Sequence, residues 1–384
     1  MRAELVAALA AHDITEPFPI QELTIRDALD GADVCGKAAT GSGKTLAFGL
    51  PMLQRTERGS APGRPRALVL VPTRELARQV VDVLVPPAKA VGLHVAPFYG
   101  GTPIERQERA LRRVVDVAVA TPGRLIDLAA RKTIALGDVE MLVIDEADRM
   151  ADMGFMPQVE RILRQLDNRR QTLLFSATLD RDVDVLVRRY LHEPVHHEVA
   201  STRVTVHEMT HRFLAVHKLD RVKVAAAIGR ESSRTLVFVR TKRGADRLVD
   251  QLRREGIRAA AIHGDLRQTA RERALGEFSA GKLPVLVATD VAARGIHVDD
   301  VDVVIHFDPP EDHKSYLHRS GRTARAGRKG MVATLVLWDQ VLDVERLKRR
   351  LGLDEPITEV FSNDPRLADL AALVTPAKRR RVAS

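Results

Sequence analysis

Short apolar runs rich in β-branched residues recur along this chain, each ending in polar or glycine-containing residues and giving way to a segment with helical spacing of its apolar positions. In the first half they are ALVLVPT (67–73), VVDVAVATPGR (114–124), MLVIDEAD (141–148) and TLLFSAT (172–178). In the second half they are RTLVFVRT (234–241), AAAIHGD (259–265), PVLVATD (284–290), VDVVIHFD (301–308) and MVATLVL (331–337). Runs that are apolar almost throughout suit strands buried on both faces, and strands alternating with helices join through right-handed crossovers into a parallel sheet. The pattern predicts an α/β chain of two domains, each a mostly parallel sheet flanked by helices. The length of 384 residues agrees, since one domain usually takes roughly 100 to 200. With 45% hydrophobic but only 4% aromatic residues, the interior must rest on Val, Leu, Ile and Ala, which argues against an all-β sandwich.

The first domain is expected over 1–200 and the second over 208–365, with a connector at 201–207 inside a stretch (192–210) whose helix pattern is broken by Pro194. Residues 366–384 end in AKRRRVAS, too polar to build a core, and read as a basic tail that is either a solvated end or an auxiliary nucleic-acid contact. Sixty Lys and Arg against 51 Asp and Glu give a net charge of +9, which favours a polyanionic partner. The single cysteine, Cys35, excludes an internal disulfide framework and reads as a small buried apolar residue. No stretch reaches the roughly 20 apolar residues of a membrane span. A soluble, cytoplasmic monomer without membrane contact is expected.

AATGSGKT (Ala38 to Thr45) fits the phosphate-loop pattern apart from Ala38 in place of its first glycine. Gly41 and Gly43 let backbone N–H groups face phosphate oxygens, Lys44 reaches the terminal phosphates, and Thr45 offers a hydroxyl to Mg²⁺. The helical pattern LAFGLPMLQ that follows is the context this loop requires. MLVIDEAD delivers Asp145, Glu146 and Asp148 at the C-terminal end of a strand, where open α/β sheets bind ligands. Asp145 can hold Mg²⁺, largely through water, and Glu146 can orient and deprotonate an attacking water. Ser176 to Thr178 end another strand and suit a helix N-cap as well. Arg322 and Arg325, three apart in HRSGRTARAG, share one face if that segment is a helix, either as a basic surface or as guanidinium groups for a γ-phosphate.

The order Gln21, AATGSGKT, PTRELA, TPGR, DEAD, SAT, ATDVAARG and HRSGRTARAG resembles the DEAD-box RNA helicases over about residues 14–365. The resemblance implies tandem RecA-like domains with ATP between them and RNA across both. It implies that Gln21 reads adenine, that Lys44, Asp145, Glu146, Arg322 and Arg325 carry catalysis, and that the arginines are supplied by the second domain. It adds Ala39, Thr40, Ser42, Asp148, Ser176, Thr178, Gly295 and His318 to the nucleotide contacts, with Ser176 to Thr178 coupling the nucleotide to the RNA surface. For RNA it points to Pro72, Thr73, Arg74, Gly100, Gly101, Thr121, Gly123 and Arg124, then to Thr241, Gly264, Gln268, Arg271 and Thr289. None of these is a base-reading arrangement, so binding is expected to be indifferent to RNA sequence. Glycines at 100, 101 and 264 are ordinary turn formers without that correspondence.

Four features depart from the family pattern. No aromatic precedes Phe18, His297 stands where an Asp commonly contacts the ribose, and Ser320 and Ala324 replace an aliphatic residue and a glycine. The activity implied is RNA-stimulated ATP hydrolysis coupled to local unwinding of short duplexes or to remodelling of RNA–protein complexes, with ribosome assembly or RNA decay as settings. An ATP-gated RNA clamp carries the same motifs, and a DNA helicase shares the two-domain core. His263 and Trp338 read as structural, Trp338 in the core.

Overall fold

The computed structural model describes residues 1–38, 41–59, 61–167, 170–179, 181–199, 209–293, 301–323 and 330–370, with the backbone alone for Arg181, Gln268, Val291 and Lys314. The chain forms two compact units, Met1–Ser201 and Thr202–Ser384. The connector expected at 201–207 lies outside the described residues.

The first unit holds β1 (Val34–Lys37), β2 (Ala67–Leu70), β3 (Val95–Phe98), β4 (Val117–Ala120), β5 (Met141–Asp145), β6 (Gln171–Ser176) and β7 (Val195–Glu198). The second holds β8 (Thr210–Ala215), β9 (Thr235–Val239), β10 (Ala259–Ile262), β11 (Val285–Thr289), β12 (Val303–His306), β13 (Met331–Val336) and β14 (Ile357–Glu359). Their orders are β3-β4-β2-β5-β6-β1-β7 and β10-β11-β9-β12-β13-β8-β14, so adding seven to each label of the first sheet gives the second. Every pairing is parallel. All strand C-termini within a sheet therefore open on one rim.

Alternation of side chains divides each sheet between two cores. In β2, Ala67 and Val69 enter one core while Leu68 and Leu70 enter the other. In β9, Val237 and Val239 pack with Val224 and Leu248, whereas Leu236 and Phe238 pack with Phe278 and Tyr316. Full burial of a Val, Leu or Phe is worth about 1.5–3 kcal/mol, so residues of this type on both faces hold the strand in the middle of the stack.

Three expectations need correction. Leu367 and Leu370 belong to the second unit's core, and Arg212 Nε donates to the Leu370 carbonyl at 2.8 Å, so the packed body continues past residue 365. Trp338 is 62% exposed in a 3₁₀ turn (Trp338–Gln340) on the rim beyond β13, not in the core. The supposed helical presentation of Arg322 and Arg325 fails for Arg322: the helix His313–Ser320 ends at Gly321, and Arg322 lies in the turn after it. Thr323 Oγ1 fixes that turn by donating to the Val301 carbonyl at 2.6 Å. Cys35 is buried, and its thiol pKa is pushed up to about 11 by desolvation first and by Asp184 second. His263 is also buried, with Nε2 2.9 Å from Asp246.

Candidate active site

The strand order sorts the first unit's rim into two halves. Beyond β1, β5 and β6 lie the phosphate loop, the DEAD residues and Ser176 to Thr178; beyond β2, β3 and β4 lie PTRELA, Gly100–Gly101 and TPGR. The halves meet at the β2–β5 pair, where Leu70 registers with Ile144.

In the phosphate loop, Gly41 and Gly43 both take a φ of 85°, the left-handed region that a Cβ disfavours. Gly43 caps the helix Lys44–Arg55, whose N-terminal N–H groups make a ready anion site. A Cβ on Gly43 would come within 2.6 Å of Gln21 Nε2 and 2.8 Å of Phe18 Cδ2. Buried Gln21 spans the gap: its Nε2 donates to the Gly43 carbonyl at 2.9 Å and its Oε1 accepts the Phe18 N–H at 3.0 Å. Lys44 is buried and its Nζ donates to the Ala38 carbonyl at 3.0 Å. Thr45 is half-buried in the first helical turn. Ala39 and Thr40 lie outside the described residues.

Asp145 ends β5 at 2% exposure, and its Oδ1 accepts the Glu146 N–H at 3.0 Å. Desolvation pushes its pKa up to about 6; Lys44 opposes that rise, Glu146 and Asp148 reinforce it, and the Glu146 N–H bond lowers it. Glu146 itself adopts φ 55°, ψ 50°, a strained conformation of a kind that clusters at functional sites, and its carboxylate is paired with Arg149. Sequence reasoning missed Arg149, because an arginine in DEADRM reads as one more charge on a short helix. Asp148 ties this acidic turn to the Ser–Ala–Thr segment. Its N–H donates to Ser176 Oγ at 3.2 Å, its Oδ2 accepts the Thr178 N–H at 3.2 Å and hydroxyl at 3.4 Å, and Ser176 Oγ donates to the Thr178 carbonyl at 2.6 Å. Ser176 therefore joins its own segment to the first turn of the helix Ala147–Asp152, where it takes the Asp148 N–H.

On the other half of the rim, Pro72 and Thr73 follow β2, and Thr73 Oγ1 accepts the Leu76 N–H at 3.2 Å as N-cap of the helix Arg74–Ala90. A Cβ on Gly101, at φ 81°, would lie 2.5 Å from an Arg74 guanidinium nitrogen, so the glycine loop and Arg74 are neighbours. Gly100 and Gly123 have open space where a Cβ would stand. Thr121 opens the helix Pro122–Ala130, and Arg124 on it donates to the Thr102 carbonyl at 2.9 Å. Arg124 Nε and its other terminal nitrogen are buried without partners, donors that an anionic backbone can use after a small movement. All eight first-unit RNA candidates thus share one half-rim.

In the second unit, Thr241, Gly264 and Thr289 follow or end the adjacent strands β9, β10 and β11. Thr241 Oγ1 accepts the Gly244 N–H at 3.0 Å. Arg271 is buried and donates to the Ala292 carbonyl at 2.8 Å, which places it under this surface more than on it. Gln268 opens the helix Gln268–Ser279. His318 is exposed and Arg322 buried; Gly295 and Arg325 lie outside the described residues. A residue not anticipated, Arg319, is buried over Phe238 and forks onto Asp290 with Nε–Oδ1 2.6 Å and a second contact of 2.7 Å, while donating to the Asp308 carbonyl at 2.6 Å. It links ATD, which carries Thr289, to the segment that carries Arg322.

Among the described residues no three His, Cys, Asp or Glu side chains converge as a metal cage, and no helix is long and apolar enough to cross a membrane.

A model of the DEAD/DEAH box helicase family matches residues 18–186, and a model of the helicase conserved C-terminal domain matches 217–327. The chain is 40% identical over 358 residues to DEAD-box ATP-dependent RNA helicase 9, mitochondrial, of Arabidopsis thaliana, covering 91% of this chain and 58% of that protein. To the ATP-dependent RNA helicase CshA of Listeria monocytogenes it is 39% identical, covering 95% of this chain and 71% of the relative. It thus spans less than two thirds of the plant protein's length. The solved structure of S. cerevisiae Dbp5 bound to RNA and ADP BeF3 superposes with a TM-score of 0.80 at 30% identity, covering 95% of each chain. Each unit is RecA-like, as in these neighbours. On the matched models, the shared motifs and the length of the match, the chain belongs to the DEAD-box ATP-dependent RNA helicase family.

Proposed function

We propose that this chain hydrolyses ATP in response to RNA and uses the cycle to separate short duplexes or remodel RNA–protein complexes, without reading RNA sequence. The observation that carries the reading is the divided rim of the first unit, a phosphate loop with carboxylates on one half and hydroxyls, bare backbone and arginines on the other, the two halves meeting at the β2–β5 pair. Gln21 holds the phosphate loop through Gly43, and the family resemblance assigns it the adenine. Lys44 and the N-terminus of its helix take the phosphates. Thr45 and Asp145 would hold Mg²⁺, which supplies charge neutralisation on the phosphates. The absence of an all-protein cage among the described residues fits a cation that keeps most of its ligands as water and phosphate oxygen. Glu146 accepts the proton of the attacking water once Arg149 releases its carboxylate, and Arg322 with Arg325 supplies guanidinium groups from the second unit.

ATP and RNA each have candidate contacts on both units, so each favours a closed state and the two ligands bind cooperatively. The single cysteine suits a reducing compartment, and we place the protein in the cytoplasm as a monomer. The test is steady-state ATP turnover with and without RNA, beside Glu146→Gln. RNA should raise turnover in the wild type, and the variant should bind both ligands while turning over at least about 100-fold more slowly, the usual worth of a general base. Turnover indifferent to RNA would remove the coupling, and full turnover in the variant would remove Glu146 from its role.

A further inference from the structure

We propose that the rim of the second unit carries an additional contact for single-stranded RNA, an aromatic step formed by Trp338 and Phe361 on either side of the Lys218–Leu219 turn, where bases stack beyond Thr241. The inference rests on the RNA reading above and extends it to residues outside the helicase motifs.

Because the second sheet is parallel throughout, the chain leaves β9, β12, β13, β8 and β14 on one rim and in that spatial order. Two residues past each strand stand Thr241, Asp308, Trp338, His217 and Phe361. At about 4.8 Å per strand, the strand carrying Trp338 is about 10 Å from that of Thr241, and the strand carrying Phe361 about 19 Å. The steps are fastened to one another. Arg221 donates to Asp308 at 3.1 Å and lies 4.0 Å over the Phe307 ring, next to Asp308 on the same rim. Asp220 accepts the Ser362 N–H at 2.6 Å and its hydroxyl at 2.7 Å, which holds Phe361 against the 217–220 turn. Gln340 accepts the Leu337 N–H at 3.1 Å and so sets the turn that presents Trp338.

On this fastened rim the large apolar side chains face water. Leu219 is 84% exposed, Leu342 73%, Trp338 62% and Phe361 54%. A cluster of that kind marks an interaction surface. In the first unit the turn after β1, the strand equivalent to β8, is the glycine-bearing phosphate loop; here it is HKLD, without a glycine, so a second triphosphate site is not what the rim offers. Two exposed aromatics interleaved with Lys218 and Lys223, which make no ion pair among the described residues, match the stacking platforms of sequence-tolerant single-strand binding. Continuity with Thr241 favours RNA over a protein partner, since a strand already held there reaches Trp338 without a new binding event.

Trp338 is the sole tryptophan of the chain, so its emission reports the contact directly. The full chain is titrated with oligouridylates of about 6 and about 16 nucleotides, which bracket common single-strand site sizes, and affinities are read from anisotropy of labelled RNA. The longer strand should quench Trp338 and bind about tenfold more tightly, the equivalent of about 1.4 kcal/mol. The double variant Trp338→Ala with Phe361→Ala should erase that gain, Trp338→Phe should keep part of it, and RNA-stimulated turnover with the short strand should be unchanged in both variants. Stimulated turnover with unchanged Trp338 emission and an undiminished length effect in the double variant would overturn the second contact while leaving the RNA reading intact. Absence of binding or stimulation by either strand would overturn both. Concentration-dependent dimerisation without RNA, lost in Trp338→Ala, would instead assign the rim to a second copy of the chain and also overturn the proposal.

Discussion

Replacing Asp145 with Asn should stabilise the ligand-free protein while removing its activity, and both effects have the same origin. The Asp145 carboxyl is buried at the end of β5, and desolvation leads the causes that push its pKa from 3.8 up to about 6. An acid whose pKa is higher folded than unfolded keeps its proton in the folded state over the interval between the two values. There the folded state binds more protons than the unfolded one, so stability falls as pH rises, and the loss is complete above the folded value. An interval of about two pH units at about 1.36 kcal/mol each amounts to about 3 kcal/mol. Asn has no charge to bury, and its oxygen can still accept the Glu146 N–H that Asp145 Oδ1 takes at 3.0 Å. Loss of the attraction to Lys44 offsets the variant's curve by an amount that does not follow this titration. The assay is urea denaturation of the full chain, wild type and D145N, from pH 4 to pH 8 without nucleotide or Mg²⁺. The stability of D145N relative to wild type should increase by about 3 kcal/mol between pH 4 and pH 7 and then level off. A difference that is flat across that range, or that moves in the wild type's favour, would refute the placement of an uncompensated carboxyl here.

Gly36→Ala puts a Cβ 2.6 Å from the fully buried Phe175 ring, so overpacking should cost about 1–3 kcal/mol, read as a lowered urea midpoint. Gly101→Ala combines a disfavoured φ of 81° with a 2.5 Å approach to Arg74; RNA affinity should drop by about tenfold and its salt slope by about 0.7, the share of one single-strand phosphate contact, with RNA-free ATP affinity unchanged. Arg319→Lys loses the fork onto Asp290 and should cost the second unit about 1.5–3 kcal/mol, checked by thermal unfolding, with Arg319→Ala costing more.

The strands legible in the sequence were those apolar on both faces, such as β2, β5, β9 and β11, where continuous burial writes a continuous run. Of the five strands that were missed, β1, β3, β7, β8 and β14, all but β8 carry other demands. In β1, Gly36 makes room for Phe175 and Lys37 pairs with Glu198, which leaves too few apolar residues to register. β3 contains Pro97, tolerated because it is at the sheet's edge, and β7 and β14 lie at the opposite edges with half-exposed patterns. Trp338 was misplaced because size and apolarity argue for a core only when a strand or helix carries them there; two residues beyond β13 the chain has already turned over the rim. The motif residues were legible one by one, but their connections were not. Arg319 on Asp290 joins two segments through a three-dimensional turn that spacing does not specify, while Arg149 on Glu146 is a local pair three residues apart whose partner the sequence offered but did not single out.

What converts the motif string into a mechanism is the strand order. Along the chain the phosphate loop after β1 is separated from the acidic turn after β5 by all three RNA-side segments. The crossovers reverse this: β2, β4 and β3 are laid to one side of β5, while β6 and β1 are laid to the other, which makes each function contiguous and gives them a single border at β2–β5. Two parallel neighbours are about 4.8 Å apart, so in the proposed cycle the loop carrying Pro72, Thr73 and Arg74 is the RNA-side segment next to the acidic turn. The second path, Asp148 to Ser176 and Thr178, runs on the nucleotide side alone. Loosening it by Ser176→Ala should therefore disturb how the acidic turn is held without moving any RNA-side residue, and strand displacement should decline more than RNA-stimulated ATP turnover does. Equal loss of both would mean that this path only holds the acidic turn and that the border at β2–β5 carries the signal by itself.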